Sequence, residues 1–401
     1  MINRRKLLGM GTGAAAGLYG GGVLARTGGS PALPEVKRFV TLGRTGLEVS
    51  EISFGSASSS DPDLVRHALD RGINFFDSAE SYRWGNAEEA IGEALQGKRD
   101  QVVLTSKTKA GARDRQAEMM EALEGSLRRL RTDYVDIYFN HAVNSVDRMR
   151  NEEWWAFTER AKQQGKIRFR GMSGHGSRLA DCVNYTVEQD LADVVLVAYN
   201  FGQDPDFYDQ LRHTFHFVAM QPELPAALDK AKEKDIGVIA MKTLMGARLN
   251  DVKEFERGGR SFAQAALRWV LSSPRVDAAL ISMTSNGLID EYVTAAMDAI
   301  PREHGLPILA RYAYLQDTKY CRHGCNFCGD ACPEGVEIAE VLRTRMYDVD
   351  YGNPALARYD YAALGEGASK CLTCTHQACL NACPYGLPIP EFTRDAATRL
   401  G

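Results

Sequence analysis

Residues 73–107 read INFFDSAESYRWGNAEEAIGEALQGKRDQVVLTSK, and the fold is decided by this stretch. Ile73–Ser78 and Val102–Lys107 are short runs rich in aromatic and β-branched residues. Between them, Ala87–Leu95 spaces its apolar residues as one face of a helix. The same alternation continues in both directions. Ile52–Ser56, Val135–His141, Ile167–Ser173, Val194–Asn200, Ile236–Thr243 and Ala278–Met283 bring the runs to eight. Helical stretches such as Ala117–Leu130, Glu152–Gln164, Pro225–Lys234 and Phe262–Leu271 lie between them, and Asn286–Met297 follows the last. Eight strand–helix repeats over roughly 250 residues predict an α/β fold of the (β/α)8 TIM-barrel type. A doubly wound sheet is disfavoured because no glycine-rich loop follows the first strand. Arg38–Leu42 and Gly46-Leu47-Glu48-Val49 predict a hairpin across the barrel floor.

In such a barrel, reactive groups stand at the C-terminal ends of strands. Those ends carry Asp77, Lys107 and His141, and Tyr82 lies in the loop after Asp77. These residue types suit carbonyl reduction by hydride transfer. Tyr82 donates a proton to the carbonyl oxygen, Lys107 stabilises the phenolate, Asp77 holds Lys107, and His141 orients the carbonyl by hydrogen bond.

Residues 36–300 resemble the aldo-keto reductases. Asp77-Ser78-Ala79-Glu80-Ser81-Tyr82 with Gly85, Glu88 and Gly92 resembles that family's Asp/Tyr segment. Thr105-Ser106-Lys107 is similar to its lysine strand, and Ile137-Tyr138-Phe139-Asn140-His141 to its histidine strand. Leu42-Gly43-Arg44-Thr45-Gly46-Leu47-Glu48-Val49-Ser50 resembles its opening hairpin. The resemblance implies an enzyme using NADP(H), with cofactor contacts at Ser56, Ser173, Asn200, Lys242, Ser282, Ser285 and Glu291. It also marks departures. Gly174 stands where the family places Asn, Leu196 where it places Gln, and Met241 where an aromatic residue often stacks on nicotinamide.

Eight of the nine cysteines fall in residues 321–401, as two runs that each end in Cys-Pro. One is Cys321-x3-Cys325-x2-Cys328-x3-Cys332-Pro333, the other Cys371-x2-Cys374-x4-Cys379-x3-Cys383-Pro384. The last three cysteines of the first run match the ferredoxin spacing and the second run stretches one gap; in that pattern the last cysteine of a run serves the other cluster. Cys321, Cys325, Cys328 and Cys383 are then expected to hold one [4Fe–4S] cluster, and Cys371, Cys374, Cys379 and Cys332 the second. Zinc sites and disulfides are the alternatives. Zinc sites usually mix in His or separate two C-x2-C pairs, and disulfides suit small secreted domains. Cys182, alone in a helical stretch, reads as a small apolar core residue.

The 401 residues carry 44% hydrophobic and 25% charged residues and a net charge of −4. That balance gives no electrostatic case for nucleic acid. No internal stretch of 18 charge-free apolar residues suggests a stable membrane span. The N-terminus begins Asn3-Arg4-Arg5-Lys6-Leu7-Leu8, continues with small and apolar residues, and has no acidic residue before Glu35. The paired arginines read as a twin-arginine export signal, with Val23-Leu24-Ala25 as a cleavage candidate. The expected organisation is a signal and linker (1–35), a barrel (36–301), a linker (302–320) and a small α-helical ferredoxin-like cluster domain (321–401). The expected protein is exported to the periplasm or another extracytoplasmic space by the twin-arginine machinery.

The leading functional expectation is an oxidoreductase interconverting a small carbonyl and its alcohol by hydride transfer, and carrying two [4Fe–4S] clusters. One alternative exchanges electrons with a protein redox partner in place of free NADPH. The other is a non-enzymatic electron carrier on a barrel scaffold.

Overall fold

Eight parallel strands close on themselves in the computed structural model, following chain order around the ring. The structure describes residues 33–204, 207, 223–245, 253, 256, 261–297, 301–316, 321, 325–350 and 352–401. The twin-arginine segment and its cleavage candidate lie outside the described residues. β1 (Phe39–Thr41) and β2 (Glu48–Ser50) form the antiparallel hairpin expected before the barrel. The barrel strands are β3 (Ile52–Gly55), β4 (Phe75–Asp77), β5 (Val103–Thr108), β6 (Val135–Asn140), β7 (Ile167–Gly174), β8 (Val194–Ala198), β9 (Gly237–Met241) and β10 (Ala278–Ser282). β10 pairs with β3 to complete the ring, Ala279 lying opposite Ile52.

The helices between and after these strands are α1 (Pro62–Asp70), α2 (Asn86–Ala94), α3 (Gln116–Leu130), α4 (Val146–Met149), α5 (Glu152–Gln163), α6 (Leu179–Glu188), α7 (Glu223–Glu233), α8 (Phe262–Leu271) and α9 (Asn286–Met297). Their starts follow local chemistry. Asp61 caps α1, with Pro62 at its first position. Asn151 accepts from the Glu153 amide at α5, and Ser261 and Gln264 form a capping box at α8.

Barrel strands bury both faces, which is why they read as apolar runs with little alternation. Phe75, Val103, Ile137, Phe139, Val194, Leu196, Ile239 and Leu280 fill the interior, and Leu42, Leu47 and Val49 of the hairpin region pack into the same cluster. The hairpin is therefore the plug of the barrel floor. Gly43 makes that plug fit. It has φ of 47°, and a Cβ there would fall 2.6 Å from the Asp235 carbonyl oxygen ahead of β9.

Beyond β10 the chain continues as α10 (Leu306–Gln316), α11 (Phe327–Asp330), α12 (Ile338–Val349), α13 (Pro354–Ala362), α14 (Ala378–Ala382) and α15 (Ile389–Leu400). The segment expected as a linker is, in its described part, a built-in element. Ile308, Leu309 and Tyr312 of α10 share a core with Phe262 and Ala265 of α8. α11–α15 carry their own apolar centre, including Val341, Tyr361, Leu387, Ile389 and Ala396. Pro34–Gly401 is nevertheless one compact unit, because α12 and α13 lie across the open end of the barrel. Among the described residues no helix is long and apolar enough to cross a membrane.

Candidate active site

Parallel pairing in register sets the positions of the reactive groups. Asp77, the last residue of β4, lies opposite Thr105 of β5, and Lys107 lies opposite Phe139 of β6. All these ends open on the same mouth, and His141 follows directly. The Lys107 ammonium donates 2.6 Å hydrogen bonds to Asp77 Oδ2 and to the Ser78 carbonyl. Thr105 Oγ1 donates to the other oxygen of Asp77 at 2.7 Å. Lys107 and Asp77 are only 1% and 2% exposed. Burial alone works to neutralise both, raising Asp77 and lowering Lys107, while the contact between them opposes each shift.

Tyr82 sits above this pair. Lys107 Nζ lies 4.7 Å from the centre of its ring, and the His141 ring meets it edge-on at 5.4 Å. The Tyr82 amide donates to the Ala79 carbonyl to make a tight turn. Arg83, Trp84 and Gly85 then follow with φ of 51°, 59° and 90°. Two adjacent non-glycine residues in the left-handed region store strain of about 1–3 kcal/mol each, as functional loops often do. Lower down the same motif, Glu88 and Gly92 are packing residues. The Glu88 carboxylate is fully buried and accepts from Ser106 and Arg129. A Cβ on Gly92 would fall 2.5 Å from the Arg129 carbonyl oxygen.

One expectation fails. Lys107 does not make Tyr82 more acidic, because its ammonium is committed to Asp77 and Ser78. Burial, then the Asp77 charge, push the phenol well above its usual value of 10. His141 is pushed well below 6.5, first by burial and then by Lys107, Lys109, Arg148 and Lys242. At neutral pH Tyr82 is therefore a protonated phenol and His141 a neutral imidazole.

Arg148 is a site residue with no local sequence signal. It donates from Nε to the Ala110 carbonyl, from Nη1 to the Ala142 carbonyl, and from Nη2 to Asn140 Oδ1 and the His141 carbonyl, all within 2.9 Å. Burial lowers it to about 10, so it stays charged at neutral pH. The guanidinium thereby fixes the turn around His141, where Ala142 has φ of 52°.

The mouth encloses a cavity of about 1330 Å³. Tyr82, His141, Asp77 and Lys107 line it, as do Ser173, Asn200, Lys242 and Ser282. Four buried polar atoms on its walls have no protein partner among the described residues: His141 Nδ1, Ser177 Oγ, Thr243 Oγ1 and Arg343 Nε. Buried polar atoms are nearly always paired, so the cavity is built for a polar guest.

The expected cofactor contacts divide. Ser173 Oγ accepts from the Ala142 amide, and Asn200 Oδ1 accepts from the Gly202 amide, yet both still reach the cavity. Ser56 Oγ donates to the Asp77 carbonyl and shares a hydrogen bond with the Ser78 hydroxyl, tying β3 to β4 outside the cavity wall. Ser285 accepts from the Leu288 amide at the start of α9. Neither Ser285 nor Glu291 lines the cavity. Leu196 is buried in the barrel interior.

Several of the cysteines lie near enough to influence one another. Burial, and then the neighbouring Cys325, Cys383 and Cys379, push the Cys328 thiol up to about 12. Cys371 is raised by burial, with Cys332 and Cys374 adding to it, and Cys379 by burial with Cys332, Cys371 and Cys374 adding. Cys321 is partly buried against the apolar cluster that contains Cys328. Arg394 of α15 donates to the carbonyls of Cys371 and Cys374, at 3.1 and 3.2 Å, and shapes their loop. Among the described residues no group of three or more His, Cys, Asp or Glu side chains is arranged to hold a metal ion. Cys182 is fully buried, as expected of a core residue.

Residues 51–303 match the model of the aldo/keto reductase family. The oxidoreductase YqkF of Bacillus subtilis is 27% identical over 280 residues, which span 64% of this chain and 90% of that protein. The L-galactose dehydrogenase of Arabidopsis thaliana is 26% identical over 296 residues, spanning 64% and 87%. An aldo-keto reductase of Klebsiella pneumoniae, solved in complex with NADPH, superposes with a TM-score of 0.53 at 27% identity. That likeness covers 70% of this chain and 95% of that one. The helices after residue 303 lie outside the family match.

Proposed function

The chain belongs to the aldo/keto reductase family, and from that premise we propose that it interconverts a small carbonyl compound and its alcohol, with Tyr82 as the proton donor of reduction. The observation that carries this reading is the buried Asp77–Lys107 pair beneath Tyr82 and His141 in one cavity. A nicotinamide cofactor, when bound, supplies the hydride. The cavity's unpartnered polar atoms fit a polar cofactor, and the Klebsiella relative was solved with NADPH. Asn200, Lys242, Ser282 and Ser173 line the cavity and would hold it, with Lys242 offering its charge to a phosphate.

The chain's own contribution is acid catalysis and orientation. Neutral His141 offers a ring N–H to the carbonyl oxygen, which holds the carbonyl against Tyr82. The Tyr82 hydroxyl gives its proton to that oxygen as charge develops there. Lys107 stays beside the ring as the phenolate forms, and Asp77 keeps the ammonium in place. Closure by α12 and α13 limits water at the reacting atoms.

The raised Tyr82 sets a pH signature. The protonated phenol is the form needed for reduction and persists through neutral pH, so reduction stays level there and declines only above about 10. Alcohol oxidation needs the phenolate and climbs with pH over the same alkaline range. Steady-state rates with NADPH and a small aldehyde, on protein purified without oxygen, check both limbs. A reduction rate that falls through neutral pH removes Tyr82 as the acid.

A second reading has a specific support. Gly174 and the buried Leu196 cannot supply the side-chain contacts that relatives give the carboxamide. In that reading the enzyme exchanges electrons with a protein partner in place of free NADPH. Failure to bind either NADPH or NADH, with full iron content, selects it.

The gathered thiols support two [4Fe–4S] clusters, one on Cys321, Cys325, Cys328 and Cys383 and the other on Cys371, Cys374, Cys379 and Cys332. Such clusters, when bound, carry single electrons and staple the helices that supply their ligands. The crossed assignment makes a prediction. Cys383→Ser disturbs the cluster of the first run, and Cys332→Ser that of the second. Each variant is expected to lose about half the iron, and Cys383→Ser is expected to leave the same surviving electron paramagnetic resonance spectrum as Cys325→Ser. A Cys383→Ser spectrum that matches Cys374→Ser instead rejects the crossing. The Arg4-Arg5 start supports export by the twin-arginine route. Cell fractionation tests it, and recovery of the chain only in the cytoplasm ends it.

A further inference from the structure

Glu340 is a carboxylate that no part of the chemistry above uses, and it is only 3% exposed. It lies in the first turn of α12 and reaches out of its own helical layer. Its Oε1 accepts a 2.9 Å hydrogen bond from the amide of Ser177, in the loop between β7 and α6. Arg343, one turn later, pairs with its other oxygen. The receiving loop is shaped for this contact. A Cβ on Gly176 would fall 2.8 Å from Glu340 Oε1 and would also collide with Asn144 Oδ1. Asn144 Oδ1 itself accepts from the next amide, that of Arg178, at 2.8 Å. The loop is thus threaded between a barrel amide group and a carboxylate from the C-terminal helices.

A second contact stands on the Tyr82 loop. Trp84, 72% exposed and held by left-handed backbone, meets Tyr359 of α13 edge-on at 6.2 Å. Lys109, just beyond β5, pairs with Asp360 at 2.9 Å and lies 5.1 Å from the Tyr359 ring. Between the two contacts, α12 lines the cavity with Leu342, Arg343, Met346 and Tyr347. Two of the cavity's unpartnered polar atoms, Ser177 Oγ and Arg343 Nε, lie in the residues on either side of the Glu340 contact.

We infer that the helices between the two cysteine runs complete the active site, and that Glu340 is the positioning residue that latches α12 over the barrel mouth so that α12 forms a wall of the substrate cavity. Two consequences follow for the carbonyl reduction proposed above, on which the kinetic side of this inference rests. Substrate size is then judged partly by α12. A bulky carbonyl compound touches α12 and a small one need not, so loosening the latch raises KM for the bulky one and leaves the proton transfer at Tyr82 intact.

The test compares the holoprotein with Glu340→Ala, Glu340→Gln and Gly176→Ala, using methylglyoxal and 4-nitrobenzaldehyde, with iron content measured in each. Glu340→Ala is expected to raise KM for the aromatic aldehyde roughly tenfold, the effect of losing one charge-assisted hydrogen bond. Its kcat is expected to stay within about twofold. Glu340→Gln keeps an oxygen for the Ser177 amide and is expected to recover most of the loss. Gly176→Ala pushes the latch open from the barrel side and is expected to behave as Glu340→Ala does. Hydrogen exchange at the Ser177 amide gives a readout independent of turnover, and it is expected to quicken in Glu340→Ala and not in Glu340→Gln. An unchanged Ser177 exchange rate in Glu340→Ala overturns the latch. Faster exchange with an unchanged KM for the aromatic aldehyde overturns the substrate wall. If the wild type reduces neither aldehyde while Ser177 exchange responds as expected, the proposed activity fails and the latch stands.

Discussion

Tyr82→Phe is expected to lower kcat for carbonyl reduction about 10³-fold, with KM and iron content close to wild type. Positioned general acids contribute roughly 10²–10⁴-fold. This one lacks a substitute, because burial and four nearby cations keep His141 neutral, and a neutral imidazole is a poor acid at any working pH. The loss therefore corresponds to about 4 kcal/mol of transition-state stabilisation, at 1.36 kcal/mol per tenfold. The change is local. The Tyr82 ring contacts His141 and Lys107 through its faces and edge, which phenylalanine preserves. Stopped-flow reduction under single-turnover conditions reads the chemical step directly. A variant that turns over as fast as wild type would show that the proton comes from elsewhere, with His141 or an enclosed water as the next candidate.

That prediction could be framed from the chain alone, and the reason is geometric. Strand ends in a parallel barrel share one mouth, so Asp77, Lys107 and His141 were readable once the eight apolar runs had been counted. The runs themselves were readable because both faces of each strand are buried. Their limits were less so. Ile73–Ser78 shrinks to Phe75–Asp77, where Asn74 turns aside to accept from the Ser50 amide. Asn200, expected at the end of a run, instead caps the short turn after β8.

What the chain could not disclose were contacts between distant segments. Arg148 serves carbonyls as far back as Ala110, and Glu340 meets an amide 163 residues before it. Neither residue belongs to a periodic pattern or a spaced motif. Ser56 was assigned to a cofactor by position, but its hydroxyl is taken by β4. The acidity of Tyr82 was misjudged for a related reason. A lysine on the adjacent strand does lie beside the ring, yet its three donors are governed by which acceptors are nearest, and Asp77 and Ser78 are at 2.6 Å.

Lys107→Met is expected to destabilise the barrel by about 3–5 kcal/mol at neutral pH, the usual cost of stranding one charge of a buried pair. Without the ammonium, Asp77 keeps only the Thr105 hydroxyl. Its carboxyl, already raised by burial, rises further once the attraction is gone. The sign of the pH response follows. A carboxyl whose folded value is raised above its unfolded value binds more protons in the folded state, so stability falls as pH rises through the folded value. The penalty therefore grows as pH rises and shrinks on acidification, where Asp77 takes up a proton. Urea unfolding followed by the fluorescence of the buried Trp154 and Trp269 measures it at the two pH values. The double variant Asp77→Leu with Lys107→Met removes both charges and is expected to regain a large part of the loss, while both variants are expected to lose most of the carbonyl reduction. Stability and activity thus separate. The pair costs more to break than to omit, so its presence in the barrel is explained by what it does beneath Tyr82 and not by the stability it adds. A single variant as stable as wild type at neutral pH would contradict the burial on which this account rests.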